Sequence, residues 1–458
     1  PSGAGQTDCR RLPTAATKLD LRSSLTLKLT HALHGGGSGC YSPYLQLWLR
    51  RALHLSPASI GLLSAVTCAV NTIGVPLLCS LFDRFARPTR CFVFMLVLNA
   101  LLHIGYVGLP LLMADATWAQ LPPWLVVALP ALAVGETVHG STYSLVDTVT
   151  LLRLPDKLMY GRVRLWAGVA WALSSLAVGL LVQRVPSFDL ALCFYSFAAA
   201  FLALAALWAC CPLPLSPSPS PSDAGAAAAG NGEASAPSAG PAEAVRPVGN
   251  CGGLLPLLQS CELLELLLLV FAMGTASSCM NSFVFLLIDD LGKRAGRVGN
   301  TDVMGISLAL NIVTEVPVFH FSRALIRTLG TRGVIYTGVA AYALRLGWYS
   351  FAWSPWAVLV AEPLHGLTFA LIWSGLATLG AASAPRGLEA TTQGVLNAVM
   401  NGLGGCVGAV LGGALYDEAA SHPGRRLFRS LAACMLAVLL LMALLDAGRW
   451  LRAGGGGG

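Results

Sequence analysis

The chain has 458 residues, 55% of them hydrophobic and 11% charged, with a mean hydropathy of +0.68 and a formal net charge of +7. Soluble domains carry roughly a quarter charged residues, so this chain cannot cover a water-exposed surface and lipid must face much of it. The positive charge reads as membrane topology rather than nucleic-acid binding, and a β-barrel is excluded because alternating segments of about 10 residues are absent.

Residues 1–23 are expected to form a cytoplasmic N-terminal segment. The chain begins without Met or a cleavable signal pattern, so an incomplete N-terminus is expected. Apolar runs long enough to cross a core of about 30 Å as helices then recur. The first six lie near 24–50, 57–81, 91–113, 123–151, 164–184 and 188–211 and predict one bundle over 24–211. Residues 212–256 are rich in Pro, Ser, Ala and Gly and read as a disordered cytoplasmic linker. Six more runs lie near 258–290, 301–326, 333–352, 355–380, 388–414 and 426–448 and predict a second bundle over 257–449, with a flexible tail at 450–458. The expectation is an all-α membrane protein of about twelve spans in two pseudo-symmetric six-helix bundles. Lys and Arg favour the side that holds the termini by roughly two to one, which predicts cytoplasmic N- and C-termini.

In span 1, His31 and His34 precede Gly35-Gly-Gly37-Ser-Gly39. Five small residues cannot support a straight helix by propensity. They would let backbone approach span 5 or a ligand at a broken helix. Spans 1 and 7 end in Arg50-Arg51 and Asp289-Asp290 at matching positions. Those charges are either solvated helix ends, the blander reading, or a latch across an outer gate. In span 4, Glu136, His139, Tyr143, Asp147 and Thr150 recur at spacings that share one helical face. Arg164 opens span 5 near Asp147, either pairing with it at an inner gate or snorkelling to headgroups. Glu315 lies well inside span 8 and Arg345 well inside span 9. In span 10 the face is Glu362, His365, Phe369 and Trp373; in span 11, Asn397 and Asn401 are expected to bond between helices. Aromatic side chains such as Tyr41, Tyr44, Trp166 and Trp171 could stack on a solute or merely fill the bundle.

The halves repeat. Glu136-Thr-Val-His139-Gly140-Ser-Thr142-Tyr143 returns 226 positions later as Glu362-Pro-Leu-His365-Gly366-Leu-Thr368-Phe369. Gly35-x-x-Ser38-x-Cys40 returns as Gly274-x-x-Ser277-x-Cys279, and Asn71 before Val75-Pro76 returns as Asn311 before Val316-Pro317. Repeats in the same order imply halves related by an axis along the membrane normal, a transporter plan. An acid and an imidazole inside apolar runs are costly, which marks them as functional candidates. They could bind and release a proton, or form a structural polar cluster. Two Glu-x-x-His motifs also resemble half of a di-iron bundle, but the extra acids are only half present, so no metal is expected. Cysteines such as Cys40, Cys193 and Cys279 sit in apolar runs without metal or disulfide spacing. No cofactor is expected, and no enzyme motif is present.

The loop Leu81-Phe-Asp83-Arg84-Phe-Ala-Arg87 resembles the inner-loop signature of the major facilitator superfamily, keeping its Leu, Asp and two Arg positions. Tyr143-Ser-Leu-Val-Asp147, Tyr160-Gly161-x-x-Arg164-x-Trp166, Glu315-Val-Pro317, Tyr342-Ala-Leu-Arg345 and Glu362-x-x-His365 together resemble the branch containing the superfamily's domain-containing protein 6 and its 6-like paralogue. That branch is distantly similar to proton-coupled sugar and nucleoside symporters. The resemblance implies that spans 1, 4, 7 and 10 line a central cavity, 2, 5, 8 and 11 join the bundles, and 3, 6, 9 and 12 face lipid. The two Glu–His pairs would then face each other across the cavity. It implies a monomeric secondary transporter of a small polar organic solute, with Glu315, Arg345, Glu362 and His365 handling protons, as a similar acid–Arg–His–acid group does in lactose-permease relatives. Glu136, His139, Tyr143, Asp147, Phe369 and Trp373 would contact solute, and Asp83, Arg84, Arg87, Arg164, Arg50 and Asp289 would gate. A non-transporting receptor or sensor is the alternative; the expected outer loops are short, the longest near 113–122 and 291–300.

Overall fold

A computed structural model describes residues 21–83, 88–115, 122–154, 160–211, 261–383 and 395–454. The predicted linker, residues 1–20 and residues 455–458, with Arg84 and Arg87, lie outside the described residues, while the helix Arg425–Gly454 runs into the predicted tail. The described elements are all helical. A chain this apolar must satisfy its backbone polar groups internally, and helices do so within each segment.

Among the described residues, ten helices are long and apolar enough to cross a membrane. Thr301–Tyr349, with 49 residues, holds two passes, spans 8 and 9, broken at Gly330. There φ is 74°, a left-handed conformation that favours glycine. Span 1 is not among the ten, because its glycines and polar side chains dilute its hydropathy. One pass for it and one more from the merged helix bring ten to twelve, the number predicted.

Span 1 corrects the propensity argument. Leu21–Tyr41 is one helix straight through the glycines, followed by the 3-10 turn Ser42–Tyr44 and the helix Leu45–Ala52. Span 5, Tyr160–Arg184, packs on that stripe. A Cβ on Gly35 would overlap the Ala167 backbone, and one on Gly39 would lie 2.5 Å from the Trp171 carbonyl oxygen. Tertiary packing of small residues thus outweighs a propensity penalty of about 1 kcal/mol per glycine.

The bundles meet where the resemblance implied. Span 2, Pro57–Asp83, meets span 11 at Gly61, Ala409 and Gly413. Span 5 meets span 8 at Gly179, Thr301 and Gly305, and Thr301 Oγ1 donates to the Gly179 carbonyl at 2.8 Å. These contacts lie at the ends of the helices farthest from the chain termini. Towards mid-depth they continue through Cys406 against the Ala65 carbonyl and Cys68 against the Asn401 carbonyl.

Span 10 is not a regular α-helix. Pro355–Val358 passes into a 3-10 turn at Leu359–Leu364, then a π-turn at Gly366–Leu371, then Ile372–Ser383. Pro363 has no N–H to give and crowds the carbonyl one turn back, which breaks the α ladder. π-segments also form at Trp124–Ala128 before span 4, Leu129–Arg153, and at Ala398–Gly404 in span 11.

Candidate functional site

In the second half, spans 8, 9 and 10 converge on one guanidinium. Arg345 and Glu362 are 2% and 1% exposed, and Arg345 Nη2 lies 2.5 Å from Glu362 Oε2. Arg345 Nε donates to the Tyr349 hydroxyl at 2.7 Å, and that hydroxyl donates to Glu362 Oε1 at 2.8 Å. Asn311 Oδ1, at 3.3 Å from Nη2, and Thr368 Oγ1, at 3.4 Å from Nη1, take further donors. Arg345 Nη1 also bonds His365 Nδ1 at 2.9 Å. A guanidinium only donates, so Nδ1 accepts and the ring proton sits on Nε2. That nitrogen faces Glu315 Oε2 at 3.4 Å. The result is a chain, Glu315–His365–Arg345–Glu362–Tyr349, across three spans.

Gly366 allows this chain to form. Its N–H bonds Thr314 Oγ1 at 3.3 Å, and a Cβ there would meet the Thr314 carbonyl oxygen at 2.5 Å. Span 8 therefore approaches closely enough to bring Glu315 to His365. His365 stacks on Phe369 and Phe369 on Trp373, with ring centroids 5.5 and 6.1 Å apart. These three line a 90 Å³ pocket with Tyr342 and Met400.

In the first half, Glu136 accepts from the Tyr41 hydroxyl. His139 Nδ1 is 3.3 Å from Asn99 Nδ2, and its Nε2 is 3.3 Å from Ser38 Oγ. His34 stacks parallel to His139, with centroids 5.6 Å apart. His31 bonds Thr150 at 2.9 Å. Glu136 and Tyr143 line a 660 Å³ cavity with Gln46, Asn71, Asn397 and Asn401. Arg164 bonds Asp147 at 3.2 Å and the Tyr143 hydroxyl at 2.9 Å, all at exposed positions.

The geometry revises several expectations. Glu136 and Glu362 do not face each other across one cavity: Glu362 turns into its own bundle onto Arg345. His139 likewise turns to Asn99 and Ser38. The large cavity is walled by spans 1, 2, 4 and 11, while spans 7 and 10 border the small pocket. The Asn401 side chain donates to Asn397 within span 11, at 2.5 Å, and it is its backbone carbonyl that another helix bonds, through Cys68. Asp83 ends span 2, and Arg84 and Arg87 lie outside the described residues.

The charges at the ends of spans 1 and 7 are not solvated helix ends. Arg50 lies 2.8 Å from Asp290 and 2.6 Å from Glu418, and Arg51 pairs with Asp289, which is fully buried. Lys293 also reaches Asp289 at 2.8 Å. Tyr416 donates to Asp290 at 2.7 Å; burial first, then that carboxylate, holds its phenol well above the ordinary range, so it remains a donor. These bonds join the two halves at the end farthest from the termini.

Asn99, His103 and Tyr349 were not singled out from sequence. Tyr349 stands one turn from Arg345, a spacing that could have identified it. Asn99 and His103 are single polar residues in an apolar run with no repeat partner to mark them.

The sequence matches the profile of the MFS_1 like family over residues 25–427. The chain is 27% identical over 151 residues to major facilitator superfamily domain-containing protein 6-like protein B of Xenopus laevis, covering 33% of this chain and 24% of that protein. It thus spans about a quarter of that relative's length. It is 26% identical to the maltose permease of Geobacillus stearothermophilus, over 83% of this chain and 84% of that one. In fold it is similar to the crystal structure of the nucleoside transporter NupG, with a TM-score of 0.70 at 15% identity over 92% of this chain and 98% of that one. A POT family peptide transporter matches with a TM-score of 0.63 at 14% identity, over 93% and 97%.

Proposed function

Because this chain belongs to the MFS_1 like family, we propose that it is a proton-coupled secondary transporter of a small polar organic solute, working by alternating access. Its similarity to a maltose permease and its fold likeness to nucleoside and peptide transporters support the transport class. One observation carries the coupling: the chain Glu315–His365–Arg345–Glu362, which runs from the buried Arg345–Glu362 pair to the half-buried His365 and Glu315 at the edge of a pocket.

With His365 neutral, the two carboxylates and one guanidinium sum to one negative charge. Burying an uncompensated charge away from water is expensive, so the empty site resists closure. One proton brings the sum to zero. His365 Nδ1 is already taken by Arg345, so Glu315 is the group that receives it. Loaded with proton and solute, the site can be occluded and carried across. Arg50, Arg51, Asp289 and Asp290 latch one end, and their separation would open the cavity to the opposite side. Asp147 and Arg164, joined within the first half near the termini, would shape the other entrance.

The test is uptake by cells at a series of external pH values. Wild-type uptake rises as pH falls. Glu362→Gln and Arg345→Ala abolish it when uptake is normalised to surface abundance; full normalised uptake in both variants would overturn the coupling role.

A further inference from the structure

The matched acids of the two halves are compensated differently. Glu362 holds a guanidinium and a phenol. Glu136 has Tyr41 as its one hydrogen-bond donor, on Oε1, and the nearest basic nitrogen is His103 Nε2 at 3.8 Å. His103 lies toward the oxygen that Tyr41 already holds. Its Nδ1 donates to the Asn99 carbonyl oxygen at 2.9 Å. That Nε2 is buried without a hydrogen-bond partner. His139 turns to Asn99 and Ser38 instead of Glu136. Glu136 Oε2 therefore has no protein donor among the described residues, and the side chain lines the 660 Å³ cavity. The other polar groups of that wall are neutral carboxamides, hydroxyls and a thiol, with no Lys or Arg among them, and Thr67 Oγ1 is buried with no partner. The wall thus carries one acidic side chain and lacks the cation that its counterpart owns.

We propose that the large cavity recognises solutes bearing an ammonium group, seated on Glu136 Oε2, with the solute's hydroxyls or amides on Asn71, Asn397, Asn401 and Gln46. This rests on the transport reading and names its substrate class: small, amine-bearing polar molecules. The solute supplies the positive charge that Arg345 supplies in the other half. A carboxylate-bearing solute of the same shape is disfavoured at Glu136, because no Lys or Arg lines the wall there, Arg164 touching that wall at the Tyr143 hydroxyl.

The probes are three shape-matched pairs: glucosamine with glucose, putrescine with 1,4-butanediol, and tyramine with tyrosol. Binding to the purified full chain is read from thermal shift, and uptake from proteoliposomes of the same preparation. At least one amine should half-saturate at a concentration about tenfold or more below its alcohol, as expected for a charge-assisted contact in a desolvated site. Glu136→Gln should erase that difference and Glu136→Asp retain part of it. The proposal is overturned if no amine exceeds its alcohol, or if the preference survives Glu136→Gln. Should Glu136→Gln fail to fold, Glu136→Asp is the fallback: it keeps the charge but draws it back from the cavity and should narrow the preference; an unchanged preference overturns the proposal. Uptake separates this inference from the one beneath it. Amine binding without flux of any probe sinks transport and keeps recognition. Alcohol flux without amine preference keeps transport and sinks recognition.

Discussion

Breaking the Arg345–Glu362 pair should cost far more than an ordinary salt bridge. Both side chains are almost fully buried, and the contact is 2.5 Å with Tyr349 bridging the two. Exposed pairs contribute about 0–1 kcal/mol. Removing one member of a buried pair leaves the other charge uncompensated, at about 3–5 kcal/mol. Arg345→Met and Glu362→Leu should each lose about that much. The double variant removes both charges together, and apolar replacements of similar volume are often neutral. Its loss should fall below that of either single variant, giving a coupling of several kcal/mol where independent sites agree within about 0.5 kcal/mol. The assay is reversible unfolding in mixed micelles, followed by tryptophan fluorescence. Additive losses would refute the idea that these residues form one charge-balanced unit. The stable double variant should also fail to couple solute uptake to pH, which separates folding from function.

Other outcomes follow from the same geometry. Arg50→Glu with Arg51→Glu sets like charges against Asp290, Glu418 and Asp289, so a cysteine replacing the buried Tyr44 should gain reactivity towards an impermeant maleimide applied at the latched face; unchanged labelling would argue against a latch. Gly39→Val should lower the yield of monodisperse protein, through overpacking of about 1–3 kcal/mol against Trp171. Gly36→Ala should be tolerated, since its nearest neighbour would be the Ala170 Cβ at 3.6 Å. Tyr349→Phe removes a donor to a buried carboxylate and should cost about 1.5–3 kcal/mol in the same unfolding assay.

The helical passes, the family and the two-bundle plan were legible because each rests on local composition or on a repeat. Apolar length marks a span wherever it falls. The repeated Glu-x-x-His marks spans 4 and 10 because two copies fix the register. Side-chain direction was less legible. Glu136 and Glu362 occupy matching sequence positions, yet one faces a cavity and the other its own bundle. The difference lies in Pro363, which winds span 10 tightly and then widely, and in Arg345, which draws Glu362 inward. Span 1 was half legible: the five small residues marked the close approach of span 5, but helix propensity alone did not foresee that the helix runs straight through them. Arg50, Arg51, Asp289 and Asp290 sat at matched span ends with opposite charge, and only the packing of the halves buries Asp289 and Asp290 between them.

Transport itself is tested most directly with purified protein in liposomes exposed to a cell metabolite extract under an imposed pH gradient. Contents are compared with those of protein-free liposomes by mass spectrometry. At least one small polar solute should accumulate when the outside is the more acidic, and a protonophore should abolish the accumulation. No protein-dependent accumulation under either direction of gradient would contradict that expectation.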